Sequence, residues 1–264
     1  MPEGHTIHRL ARDHRAWFAG REVRVSSPQG RFADAATLLD GSRFVGADAH
    51  GKHLFHHYDA GNSVHIHLGL FGRFFAHDDP PPAPRPTARY RIQSDEHTTD
   101  LVGATSCALL DPTEVDAILA RLGPDPIRAD ADPERVFKAL QRRTVGIGQA
   151  LLDQKVLAGV GNVYRAEVLF VLGIHPDVPA RDLHRARFDE LWSTLVTWMR
   201  RGVREGRIVT VDPDEIGMRR SRMVRADSHY VYQRDICRRC ASRIRRYDLA
   251  GRWAYVCEIC QPRP

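Results

Sequence analysis

Apolar and polar positions alternate along this chain with three different rhythms. Ile7, Leu10, Ala11, His14, Trp17 and Phe18 recur at helical spacing, which predicts a helix over residues 6–19 ended by Gly20. From residue 21 to about 110 the rhythm shortens to β-like runs, among them 21–25, 52–58 and 63–68. The last two are joined by the turn-forming Asp59-Ala60-Gly61-Asn62, and residues 78–86 hold five prolines and read as a loop. Many short strands with turns between them predict an antiparallel β-sandwich. Leu122-Gly123-Pro124-Asp125-Pro126 reads as a linker, and beyond it the helical period returns. Asp132-Pro133-Glu134 opens a helix with an N-cap, a first-turn proline and an early acid. Further helices are expected over 147–157, 162–172 and 182–204, the first two separated by a turn at Gly159 and Gly161. There are no internal repeats.

The expected organisation is therefore α+β: a sandwich domain with its N-terminal helix over 1–121, a linker over 122–131, a helical domain over 132–227 and a small terminal module over 228–264. The length of 264 residues suits one large domain or two smaller ones with separate cores. The longest apolar stretch, 166–174, is nine residues and contains Glu167, against about 20 needed to span a bilayer. No hydrophobic signal segment opens the chain, so a cytoplasmic location and no membrane partner are expected.

Charge changes the picture because of where it lies. The formal net charge is +6, but residues 219–264 alone carry twelve arginines against four acids, a net +8. A basic block of this size points to a polyanion, with a solvated arginine-rich surface as the plainer explanation. Of 39 basic residues only Lys52, Lys138 and Lys155 are lysine. A lysine kept amid arginines is a candidate for work that needs a primary amine.

Three motifs carry chemistry. Cys237-x2-Cys240 and Cys257-x2-Cys260 can present four thiolates to one Zn²⁺, closed and structural, folding a β-hairpin that bears Arg243, Arg245, Arg246 and Arg252. Two disulfides are the alternative, disfavoured in a reducing compartment. Cys107 has no nearby partner and reads as a packing residue. In the run 154–164 a glycine turn feeds a helix start, where exposed N–H groups favour an anion. Asn162 there can cap the helix or donate to a phosphate, and Lys155 adds charge. Met1-Pro2-Glu3 is the third. Removal of Met1 leaves a secondary amine on Pro2, and an α-amino group of pKa about 7.7–8.0 is roughly a third unprotonated at pH 7.5, against about 0.1% for lysine. Such an amine is a ready nucleophile toward a sugar C1′, with Glu3 as the adjacent acid.

The start Met1-Pro2-Glu3-Gly4, the run Gly51-Lys52-His53-Leu54-Phe55, the segment 154–167 and the closing Arg252-Trp253-Ala254-Tyr255-Val256-Cys257 together resemble the formamidopyrimidine-DNA glycosylase/endonuclease VIII family, in the right order along the whole chain. Gly4-His5-Thr6 after Pro-Glu is nearer the endonuclease VIII branch, in particular its arginine-rich actinobacterial members. The resemblance implies a β-sandwich after an N-terminal helix, then a helix–two-turn–helix domain and a zinc finger. It implies a monomer that flips a damaged nucleotide out of DNA, a Pro2 Schiff base, and β- and δ-elimination. By the same resemblance Lys52 contacts phosphate and assists catalysis, Lys155, Asn162 and Arg252 grip phosphates, and Leu70 and Phe71 fill the hole left by the flipped base. Leu70 and Phe71 could instead be core residues.

Two departures bear on the lesion. Thr6 stands where most members carry glutamate, and the Arg-Arg-Phe-Gly wedge of the formamidopyrimidine branch is absent from 98–107. The loop 212–228 also lacks that branch's purine-capping sequence, so oxidised pyrimidines are the expected substrates. A cluster of His50, His53, His56, His57, His65 and His67 admits a metal-dependent hydrolase, but only Asp59 is an acid within it. The rival from another class is a non-catalytic zinc-finger protein that binds DNA or reads damage. It has no use for a processable Met-Pro beside Glu3 and Lys52.

Overall fold

The computed structural model describes residues 2–263, which form two units divided between Arg121 and Leu122. The first begins with α1 (Gly4–Phe18), which buries Ile7, Ala11, His14 and Phe18 along one stripe and ends where Gly20 turns with φ +80°. It starts two residues before the predicted boundary. Eight strands follow: β1 (Arg24–Ser26), β2 (Phe44–His50), β3 (His53–Tyr58), β4 (Ser63–His67), β5 (Arg73–Asp78), β6 (Ala88–Gln93), β7 (His97–Val102) and β8 (Ser106–Leu110). They make the two expected antiparallel sheets, ordered β1-β6-β7-β5 and β2-β3-β4-β8. The core gathers Ile7, Phe18, Phe44, Leu54, Ile66, Tyr90, Ile92 and Leu101, all 1% exposed or less.

Two short helices in this unit escape the periodicity reading. The seven-residue α2 (Ala33–Leu39) buries only Ala36 and Leu39, too few to show a period. The eight-residue α3 (Pro112–Leu119) buries nothing, and a capping box sets it: Glu114 N donates to Asp111 Oδ1 at 2.8 Å and Asp111 N to Glu114 Oε2 at 3.0 Å.

The sandwich interior holds a polar chain. His14 Nδ1 and His56 Nε2 are 2.9 Å apart, His56 Nδ1 and the Tyr90 hydroxyl 3.0 Å, and the Tyr90 and Tyr58 hydroxyls 2.6 Å. Burial pushes His14 down to about 3 and His56 well below the ordinary histidine range, so both are neutral. Cys107 packs half-buried against the same core, its thiol pushed up to about 12 by burial.

The second unit contains α4 (Pro133–Gln141), α5 (Ile147–Ala150), α6 (Asn162–Val171), α7 (Arg185–Glu205) and a hairpin of β9 (Arg245–Leu249) and β10 (Arg252–Val256). Asp132 caps α4 as expected, accepting from Glu134 N at 2.9 Å. Two expectations fail. The helix predicted over 147–157 keeps only its first turn, because the Asp153 carboxylate takes the Lys155 amide at 2.9 Å and the backbone folds into successive turns. The stretch 122–131 is no free linker. Gly123, Pro124, Asp125 and Pro126 are buried, and a Cβ on Gly123 would stand 2.5 Å from the Val156 carbonyl. No helix among the described residues is long and apolar enough to cross a membrane.

Candidate active site and metal centre

In the first unit, Pro2 is half-buried and Glu3 fully buried at the entrance to α1, where Thr6 N donates to the Glu3 carbonyl at 2.9 Å. His5 is buried beside them, its Nε2 3.2 Å from Thr6 Oγ1. Burial first, then the positive charge at the chain start, pushes His5 down to about 4, so it is a neutral neighbour of Glu3. Lys52 lies in the turn between β2 and β3 rather than at the head of a strand, after Gly51 with φ +59°. Burial lowers His67, and the Lys52 charge lowers it further.

Leu70 and Phe71 stand on the loop that carries the chain from β4 in one sheet to β5 in the other. They are 49% and 80% exposed, so neither is a core residue. Glycine shapes the loop on both sides. A Cβ on Gly69, at φ +66°, would fall 2.0 Å from Thr105 Oγ1, and Gly72 N donates to the Leu68 carbonyl at 2.9 Å.

The histidine cluster resolves into side-chain pairs. His53 Nδ1 and His65 Nε2 are 2.8 Å apart with their rings stacked at 5.1 Å, and His57 Nδ1 lies 2.8 Å from Ser63 Oγ. Burial first, then the neighbouring His65, pushes His53 to about 3, and burial, then His67 and Arg121, pushes His65 to about 4. Among the described residues the metal-capable cluster is elsewhere, at the cysteines.

In the second unit the turn before α6 is stapled by Gln154, a residue the sequence reading passed over. Its Nε2 donates to the Leu152 and Val160 carbonyls at 2.9 and 3.0 Å, and its Oε1 accepts from Gly159 N at 2.9 Å. Lys155 projects exposed from this turn. The helix cap is Gly161 rather than Asn162, which is the first helical residue. Asn162 is instead drawn inward: its Nδ2 donates to the Trp253 carbonyl at 3.1 Å and its Oδ1 accepts from Arg165. The buried Arg165 guanidinium also donates to the Trp253 carbonyl, at 2.7 Å, so α6 and β10 are tied at one atom. Arg252, one residue earlier, is exposed.

A second tie was equally hidden. The buried Glu167 carboxylate accepts from Thr210 Oγ1 at 2.5 Å and from the amides of Tyr230, Val231 and Tyr232 at 2.7, 2.9 and 2.8 Å. A lone glutamate in an apolar run gave one clue, since a charge is buried only where donors meet it.

The four cysteines converge. Cys237 and Cys260 Sγ are 3.9 Å apart, Cys240 and Cys257 Sγ 3.3 Å, and all four lie within 4.8 Å of one another. Disulfides would need about 2.05 Å, whereas a tetrahedral site with metal–sulfur bonds of about 2.3 Å has sulfur–sulfur edges of roughly 3.8 Å. The thiols are free and fit a closed tetrahedral metal site.

Residues 1–111 match the formamidopyrimidine-DNA glycosylase N-terminal domain, and residues 122–213 match the formamidopyrimidine-DNA glycosylase H2TH domain. The chain is 46% identical over 267 residues to the protein named Endonuclease 8 1 of Mycobacterium tuberculosis, covering 99% of this chain and 100% of that one. It is 32% identical over 280 residues to the probable endonuclease 8 2 of Streptomyces coelicolor, covering 100% and 95%. The Lactococcus lactis Fpg structure, a complex with DNA containing N7-benzyl-Fapy-dG, shares the fold at TM-score 0.80 and 20% identity, covering 99% of this chain and all of that one. The chain belongs to the formamidopyrimidine-DNA glycosylase/endonuclease VIII family.

Proposed function

We propose that this protein is a base-excision repair DNA glycosylase and AP lyase acting on oxidised bases in DNA. The observation that carries the reading is the pairing of a processable Met1-Pro2 with a fully buried Glu3, in a chain with a full-length relative named as an endonuclease 8. After loss of Met1, the neutral Pro2 nitrogen attacks C1′ of the damaged nucleotide. Glu3 gives its proton to the sugar ring oxygen, the ring opens, and the base departs with the electrons of the glycosidic bond and takes up the proton that the Pro2 nitrogen sheds in becoming an iminium. The resulting iminium acidifies the C2′ protons, so β-elimination expels the 3′ phosphate, and the conjugated iminium then acidifies the C4′ proton, so δ-elimination expels the 5′ phosphate.

Lys52 contacts phosphate beside this centre and assists the chemistry. Lys155, Asn162 and Arg252 hold phosphates, with one of the Asn162 amide hydrogens already spent on Trp253. The exposed pair Leu70 and Phe71 fills the void left by the flipped base. Zinc is the metal suited to four thiolates within 4.8 Å of one another, and it would hold the hairpin without taking part in the reaction. The preferred lesions are oxidised pyrimidines, which stack weakly and cost less to flip. Single-turnover release of thymine glycol should outpace that of 8-oxoguanine opposite cytosine.

Borohydride trapping on an oligonucleotide with one abasic site tests the reading. A cross-link should form and map to residue 2, and a variant that retains Met1 should give none. Trapping at Lys52 would overturn the assignment of the nucleophile. No trapping at all would favour a protein that only binds DNA.

A further inference from the structure

Trp253 is 58% exposed, whereas the other three tryptophans, Trp17, Trp192 and Trp198, are half-buried. An indole left in water on a small β-hairpin forgoes the burial that an aromatic ring usually supplies to a fold. The backbone beneath it is held hard: the Trp253 carbonyl accepts from both Asn162 and Arg165. Trp253 is also paired across the hairpin with Asp248, whose Oδ1 accepts from Gly251 N at 3.1 Å and closes the turn. The ring is thus presented on a rigid strand, so little conformational freedom is lost when something covers it.

The neighbourhood says what covers it. Arg245 is paired with Glu258 at 2.7 Å and Arg246 with Asp235 at 3.3 Å, yet residues 243–258 carry four arginines against two acids and Arg252 is exposed, so the hairpin suits a polyanionic partner. An indole adds no charge toward phosphates. The partner must therefore offer an apolar surface alongside its anionic groups. A nucleic-acid strand does this through its sugars, because in a duplex the base faces are stacked away while the sugar C–H faces line the groove edges.

Resting on the DNA-repair reading above, we propose that Trp253 packs on a deoxyribose of the strand whose phosphates the hairpin's arginines hold, and supplies the salt-independent part of the hairpin's grip on DNA. The contact is indifferent to base sequence, and Trp253 is a binding residue with no part in bond breaking.

The test compares Trp253→Ala, Trp253→Phe and Arg252→Ala on a duplex carrying a tetrahydrofuran abasic analogue, with inorganic polyphosphate as a polyanion lacking sugar. Trp253→Ala should weaken duplex binding about tenfold with an unchanged log–log salt slope, and Phe should restore most of it. Arg252→Ala should lower the slope by about one. Polyphosphate should bind the Trp253→Ala and wild-type proteins equally. Duplex should alter the wild-type tryptophan emission, and the Trp253→Phe variant should lose that change while still binding. Unaltered duplex affinity in Trp253→Ala, an equal loss on polyphosphate, or an emission change that survives in Trp253→Phe would each overturn the proposal. The two failures are distinguishable, because wild-type borohydride trapping reports on the repair reading without involving Trp253.

Discussion

The two units of this chain solve the problem of stability by different means. The first closes two sheets and a helix over a large apolar core and buries polar groups inside it either as neutral partners, as with His14, His56, Tyr90 and Tyr58, or as an ion pair, as with Arg91 and Asp100. The end of the second is a two-stranded hairpin, which is marginal by itself in water. Its support lies outside its own strands: in the four clustered cysteines, in a core it shares with α6, where Val163, Ala166 and Phe170 meet Ile244, Tyr255 and Cys257, and in the segment 230–232 leading into it, which the buried Glu167 carboxylate anchors. The first unit therefore concentrates buried histidines that acid can charge, whereas the second depends most on whatever holds its sulfurs.

Metal removal should break this comparison most sharply. Chelation, or Cys257→Ser, should melt the hairpin and lower DNA affinity by orders of magnitude while the sandwich stays folded. Amide exchange followed in each unit would check it, and a metal-free protein with full affinity would exclude the finger from the DNA grip.

Glu167 should be nearly as important to the second unit. Glu167→Ala strands three buried amides and the Thr210 hydroxyl, for an expected loss of about 3–5 kcal/mol. Denaturant unfolding should show the loss in the second unit alone.

Acid should act on the first unit. Its buried histidines have folded-state pKa values depressed below 6.5, with His14 at about 3 and His5 at about 4. The unfolded chain therefore binds more protons between those values and 6.5. The stabilisation is complete above pH 6.5 and is lost as the pH falls toward 3–4. Thermal unfolding of the sandwich should shift steadily downward over that window, and His14→Phe should flatten the slope. A slope unchanged in that variant would remove His14 from the account.

The smallest effect on stability should come from the exposed loop. Leu70→Ala with Phe71→Ala should leave the melting temperature almost unmoved, yet reduce excision from duplex far more than from single strands, since only a duplex needs its void filled. Equal losses on both substrates would deny the loop that role.

Local rules made much of this protein legible. The 3.6-residue stripe of α1, the Asp132-Pro133 helix start, the alternating strands and the paired Cys-x2-Cys knuckles each depend on residues a few positions apart. The Met1-Pro2-Glu3 start is legible for the same reason, because its chemistry belongs to adjacent residues. What tertiary structure alone decided are the bonds between distant positions. Asn162 reads as a cap or a phosphate donor until Trp253, 91 residues away, claims its amide. Residues 122–131 look like a linker until the turn at 154–158 packs on them. The helical pattern at 147–157 is undone by Asp153, whose carboxylate competes for a backbone amide that periodicity cannot weigh. His14 and His56 could equally be surface groups or ligands; the sandwich closing around them is what makes them neutral. Burial and long-range hydrogen bonding depend on the whole assembled surface, so no window of sequence contains them.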